Sequence, residues 1–156
     1  MDDEVVLLPR GTKGRPQVKR ERADRLIAAL LTEAEQINND PLPWCDVTRL
    51  SVFGSYLTSK PVLGDLDIAV RTTPRWPPDS GGFTRAWQSF PSACPAPKEI
   101  ANDQLSILHW PRLYILKRLK RVGRGISLHS QQDLDSCGFE HSVIFEKSED
   151  DLRFQR

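Results

Sequence analysis

Gly54 and Ser55, followed after nine residues by Asp65 and Asp67, are the residues of this chain whose types and spacing could do chemistry. They stand in the string Ser51-Val-Phe-Gly-Ser-Tyr-Leu-Thr-Ser-Lys-Pro-Val-Leu-Gly-Asp-Leu-Asp-Ile-Ala-Val70. It reads as a strand, a tight turn opening a short helix, a loop, and a second strand that begins with two carboxylates. Side chains alternate along a strand, so Asp65 and Asp67 share one face while Leu66, Ile68 and Val70 take the other. Two carboxylates held so close repel unless a cation sits between them, and hard oxygen ligands favour magnesium or manganese. Gly54 allows a sharp turn and the close approach of a ligand. Ser55 is a good N-cap, and its hydroxyl and the amides behind it can meet a phosphate. A plain loop turned by Gly64-Asp65 explains the glycine but leaves Asp67 unaccounted for.

Periodicity predicts the elements that must hold these groups. Leu26, Ile27, Leu30, Leu31, Ala34 and Ile37 recur at three- and four-residue steps, which predicts a helix from about Lys19 to Asn39. Pro41 stops it. Strands follow over roughly Thr48–Phe53 and Leu66–Arg71. The stretch 72–98 holds six prolines and Ser80-Gly81-Gly82, and reads as a long insertion with a short helix near Thr84–Ser89. It leaves straight from the strand that bears the carboxylates, as a flap anchored by Trp76 and Trp87 or as a surface insertion. Order resumes with a helix at Trp110-Pro111, proline suiting a first helical turn. A strand over Gly125–Ser130 turns Ile126 and Leu128 one way and Ser127 and His129 the other. Ser130 and Asp133 open a short helix that Gly138 ends, and a last strand runs from Ser142 to Glu146. The expected fold is α/β in the α+β sense, a small mixed sheet with helices mainly on one face and the carboxylates on the opposite one.

Val52-Phe53-Gly54-Ser55 and Gly64-Asp65-Leu66-Asp67-Ile68, in this order and spacing, resemble the DNA polymerase beta-like nucleotidyltransferase superfamily, in particular its minimal one-domain members. The resemblance covers Leu50 to Val70 by motif and extends to about Glu146 by order of elements. It implies a metal-dependent transfer of a nucleoside monophosphate from an NTP to a hydroxyl of RNA, protein or a small molecule. Small members of this kind often belong to toxin–antitoxin pairs. Asp65 and Asp67 would hold Mg2+ or Mn2+; Gly54, Ser55 and, on the intervening loop, Lys60 are the nucleotide-binding candidates. Members usually take a third carboxylate from the strand after the insertion, where this chain has Ser127 and His129. Asp133 and Glu146 do not match that position. Activation of the attacking hydroxyl then falls to His129 or to a group the substrate supplies. The alternative is a nucleotidyltransferase-like module that has lost its chemistry and binds nucleic acid or a partner.

Composition fits one domain. The chain has 156 residues, 38% hydrophobic, with a formal net charge of +1. We divide it into a flexible basic arm (1–17), a domain (18–147) with the proline-rich insertion 72–98, and an acidic tail (148–156). No apolar run reaches the length of a membrane span, so no membrane partner is expected. Cys45, Cys94 and Cys137 have no paired-cysteine spacing and read as reduced thiols, which points to the cytoplasm. Positive charge gathers over Arg10–Arg25 and along the helix Arg112–Arg124, and both are expected to grip RNA, DNA or a protein acceptor. Lys13-Gly14-Arg15-Pro16 resembles the core of an AT-hook.

Overall fold

Four strands carry the candidate site, and which of their faces is apolar decides where it lies. The structure, a computed structural model, describes residues 6–7, 16–76 and 81–148. Along the chain run β1 (Val6–Leu7), β2 (Pro16–Lys19), α1 (Arg20–Asn39), β3 (Cys45–Phe53), a 3-10 turn (Gly54–Leu57), β4 (Val62–Leu63) and β5 (Leu66–Pro74). Then come α2 (Gly81–Ala93), α3 (Lys98–Ala101), α4 (Gln104–Leu108), α5 (Trp110–Lys120), β6 (Ile126–Ser130), α6 (Gln131–Cys137) and β7 (His141–Glu146). The fold is α+β. A mixed sheet has the order β6-β5-β3-β7, with β5 and β6 parallel and the other pairs antiparallel. A small antiparallel ribbon, β1-β2-β4, stands beside it.

Alternation divides the sheet as the sequence predicts. Leu50 and Val52 of β3, Leu66, Ile68 and Val70 of β5, and Ile126 of β6 turn to one side. There they are buried with Ala23, Leu26, Leu30, Ala34 and Ile37 of α1 and with Ile115 and Leu119 of α5. Fully burying one such side chain contributes about 1.5–3 kcal/mol, so this layer dominates the stability. The opposite face carries Phe53, Ser51 and Arg49 of β3, which pair across to Asp67, Ala69 and Arg71 of β5. α6 covers part of that face: buried Gln131 accepts a hydrogen bond from Ser51 Oγ at 2.8 Å, and Leu134 beside it is buried. Ser130 caps α6 through Gln132 N, and Gly138, left-handed at φ 67°, ends it.

Three expectations change. Both central strands are longer than predicted, β3 starting at Cys45 and β5 running to Pro74. The arm expected to be flexible through residue 17 ends in a strand, because Pro16–Lys19 pairs with β4 on one side and β1 on the other. The AT-hook-like residues 13–15 lie outside the described residues, as does most of the acidic tail. In the proline-rich stretch the described residues include the thirteen-residue α2, longer than the short helix expected near Thr84–Ser89. The prolines of the stretch fall in different places: Pro74 ends β5, Pro91 lies near the end of α2 and Pro97 caps α3. Buried Phe90 meets Tyr114 edge-on at 5.8 Å, and Trp110 Nε1 donates to the Cys94 carbonyl at 2.8 Å. Trp76 is half-buried at the end of β5, and the Trp87 side chain lies outside the described residues.

Candidate functional site

Register places candidate Asp67 in one row across the sheet with residues of the three other strands. Ser127 of β6 lies beside Asp67 of β5, Asp67 beside Phe53 of β3, and Phe53 beside His141 of β7. His129, two residues further along β6, returns to the same face as Ser127. Its Nε2 lies 3.2 Å from Asp67 Oδ1 and 3.0 Å from Ser127 Oγ. An ionised carboxylate only accepts, so in this pair Nε2 is the donor. Both contacts use one nitrogen, so this is not a serine–histidine–aspartate relay, which needs the serine and the carboxylate on opposite ring nitrogens.

Gly54 and Asp67 are built for each other. Gly54 has φ +71°, and a β-carbon there would stand 2.7 Å from Asp67 Oδ2. Only glycine leaves room for the carboxylate over this turn. Gly54→Ala is expected to destabilise by about 1–2 kcal/mol from the left-handed backbone alone. It also pushes Asp67 out of place, so a shifted urea midpoint should come with weakened nucleotide affinity; an unchanged midpoint contradicts the packing. Burial raises the Asp67 carboxyl above its ordinary value, the His129 hydrogen bond and charge lower it, and nearby Asp65 raises it again. The strand expected to begin with both carboxylates begins at Leu66, so Asp67 is on β5 and Asp65 immediately precedes it.

Ser55 differs from expectation. The N-cap is Phe53, in extended backbone, and Ser55 sits inside the 3-10 turn with its hydroxyl donating a long 3.5 Å bond to the Asp65 carbonyl. The glycine turns the chain one residue earlier than a serine cap would. Lys60 is exposed, and its carbonyl is the group engaged.

That engagement reveals a residue the sequence reading misplaced. Arg20, counted among the charges of a nucleic-acid-binding arm, fastens the loop between the two motif halves. Its Nε and Nη2 donate to the Lys60 carbonyl at 3.1 and 3.0 Å, and its Nη1 donates to the Tyr56 carbonyl at 3.0 Å. The guanidinium lies 5.0 Å from the Tyr56 ring centroid, and Tyr56 Oη donates to Asp24 at 2.6 Å. No local signal marks this role, since Arg20 is some forty residues from its acceptors. Likewise Arg118 of the basic helix turns inward to Glu33 at 2.7 Å and Asp40 at 2.8 Å. Lys120, Arg121 and Arg124 are exposed.

Comparison of the chain with protein-family models, with curated proteins and with solved structures gives no match. The site must speak for itself.

Glu146, a distant candidate for a third carboxylate, is taken up at the far end of β7 by Arg49 and by Arg71. Those arginines hold its carboxyl below the usual range. Asp133 is exposed on α6 and, with His129, lines a cavity of about 600 Å³ that reaches to Arg112 and Leu116 of α5. A larger one of about 730 Å³ adjoins it at His109, Arg112 and Ser130 and extends to Cys45. Burial pushes the Cys45 thiol up to about 12, so it stays protonated; Cys45, Cys94 and Cys137 are all free.

Among the described residues no group of three or more His, Cys, Asp or Glu side chains is arranged to hold a metal ion. Magnesium asks for less. It is usually bound through one or two carboxylates together with substrate phosphates, keeping several waters. The chain offers the half-buried Asp67, whose carboxyl burial raises and Asp65 raises further. No helix among the described residues is long and apolar enough to cross a membrane.

Proposed function

We propose that the chain is a magnesium- or manganese-dependent nucleotidyltransferase, moving a nucleoside monophosphate from an NTP to an acceptor hydroxyl. The observation that carries this reading is the mutual fit of Gly54 and Asp67, with Asp65 alongside and Ser55 on the same turn.

Asp65 and Asp67 hold the metal, which when bound neutralises the triphosphate and the charge that develops on it. Ser55 and the turn it belongs to receive phosphate oxygens. The acceptor oxygen bonds to the α-phosphorus as the bond from that phosphorus to the bridging oxygen breaks, and pyrophosphate leaves with the electron pair. The acceptor's proton passes to His129 Nδ1, since Asp67 holds the other nitrogen. Arg20 keeps the loop between the two motif halves in register with β5.

The second reading is a module that binds without chemistry. It is favoured by one observation: the outward residues of β6 are Ser127 and His129, with no third acid. The two readings part in a transfer assay with NTPs labelled at the α-phosphate, offering RNA and protein acceptors in Mg2+. Label transferred by the wild type and not by Asp65→Ala/Asp67→Ala supports the enzyme. Equal transfer by both, or transfer by neither, removes it.

A further inference from the structure

We propose that Phe139 is a stacking platform for the base of the nucleotide held at Asp65 and Asp67. This rests on the nucleotide-binding reading above and adds a subsite to it. Phe139 is 59% exposed, in the short connection between α6 and β7. A lone exposed phenylalanine is unremarkable; this one is built in. Its ring lies parallel to Phe53, 9° apart in plane with centroids 6.3 Å apart. Phe53 in turn meets the His129 ring edge-on at 5.1 Å and pairs across the sheet with Asp67. The exposed ring is therefore the outer layer of a row that ends at the candidate metal ligands.

The backbone holds that ring in place from both sides. Gly138, left-handed, closes α6 immediately before it. His141 Nδ1 donates to the Phe139 carbonyl at 3.0 Å immediately after it, and His141 is itself paired with Phe53. A flat apolar face, backed by a second ring and beside a phosphate-handling turn, matches a nucleobase. Every base has a π-face, so the platform predicts affinity for nucleotides in general and little choice among them.

Stacking on one aromatic ring changes affinity by about 5- to 150-fold on alanine substitution. The test is calorimetric titration with α,β-methylene analogues of ATP, GTP, CTP and UTP in Mg2+, on wild type, Phe139→Ala and Phe139→Trp. The expected result is weaker binding of all four by Phe139→Ala within that range, retention by Phe139→Trp, and an unchanged melting temperature in both. Binding by Phe139→Ala within twofold of wild type overturns the platform while leaving the nucleotide site standing. So does wild-type affinity for inorganic tripolyphosphate equal to that for the nucleotides, since the base then contributes nothing. If Phe139→Ala weakens only a short RNA oligonucleotide, the ring serves an acceptor and this placement is wrong. Failure of the wild type to bind any analogue removes the parent reading and the platform together.

Discussion

Asp67→Asn is expected to abolish magnesium-dependent nucleotide binding and, at the same time, to raise thermal stability. The two effects have one cause. Asp67 is half-buried, and burial together with Asp65 raises its carboxyl from the model-compound value of 3.8, against the opposing pull of His129. A carboxyl raised in the folded state favours folding while protonated, below the unfolded value. That contribution is lost as pH rises through the folded value, so at neutral pH the ionised group is a standing cost. Asparagine keeps the shape and a hydrogen-bonding oxygen but removes the charge. Each kcal/mol recovered raises the melting temperature of a chain this size by about 2–4 °C. Affinity should fall at least about 100-fold, since even outer-shell partners of a metal cost 10–100-fold. Scanning calorimetry between pH 4 and 8 checks the first half: the variant's advantage should grow with pH. An asparagine variant less stable than wild type at pH 7 contradicts this account of the site.

The largest loss of stability is expected away from the site, at Arg75. This arginine is only 4% exposed, yet each arm of its guanidinium has a partner. Nε donates to Asp46 Oδ1 at 3.0 Å, Nη1 to the Asp40 carbonyl at 2.6 Å and Nη2 to the Ile37 carbonyl at 2.8 Å. It thus satisfies the C-terminal end of α1 and fastens that end to the start of β3. Lys147, at the close of β7, adds a contact to Asp46 Oδ2 at 3.3 Å. Removing one partner of such a pair strands a buried charge, at a cost of about 3–5 kcal/mol. Native stabilities lie near 5–15 kcal/mol, so Arg75→Ala should lower the urea midpoint severely. The joint replacement Asp46→Leu/Arg75→Met should recover part of that loss, because it removes both buried charges and leaves only the less buried Lys147 without its partner. A single variant with a wild-type midpoint would show that the pair is dispensable.

What the sequence displays and what it hides follow from the range of the interactions. Strand alternation is local, so Leu66, Ile68 and Val70 can be read as buried and Asp67 as facing away from them. Helix periodicity is local too, and α1 agrees with its prediction to within a residue at its start. Caps are short-range, hence Ser130 and Gly138 at the two ends of α6. Long-range pairing leaves no such trace. The four residues Pro16–Lys19 have no strand signature of their own and become β2 because β4 offers an edge. Arg20, Arg75 and Arg118 look like surface charge until the fold brings their acceptors to them. Proline misleads in the opposite direction: its density over residues 72–98 hides α2, whose last turn itself contains Pro91. Among the candidate residues, the approach of Gly54 to Asp67 can be suspected from spacing, while the stacking of Phe139 on Phe53 cannot, because only the sheet sets that loop beside Phe53.

The most direct test of the central claim is calorimetric titration of the wild-type chain with a non-hydrolysable NTP, with Mg2+ and with a chelator, beside Asp65→Ala/Asp67→Ala. The account predicts binding that requires magnesium and disappears in the double variant, whose fold is retained. Binding that survives chelation, or survives loss of both carboxylates, would contradict it.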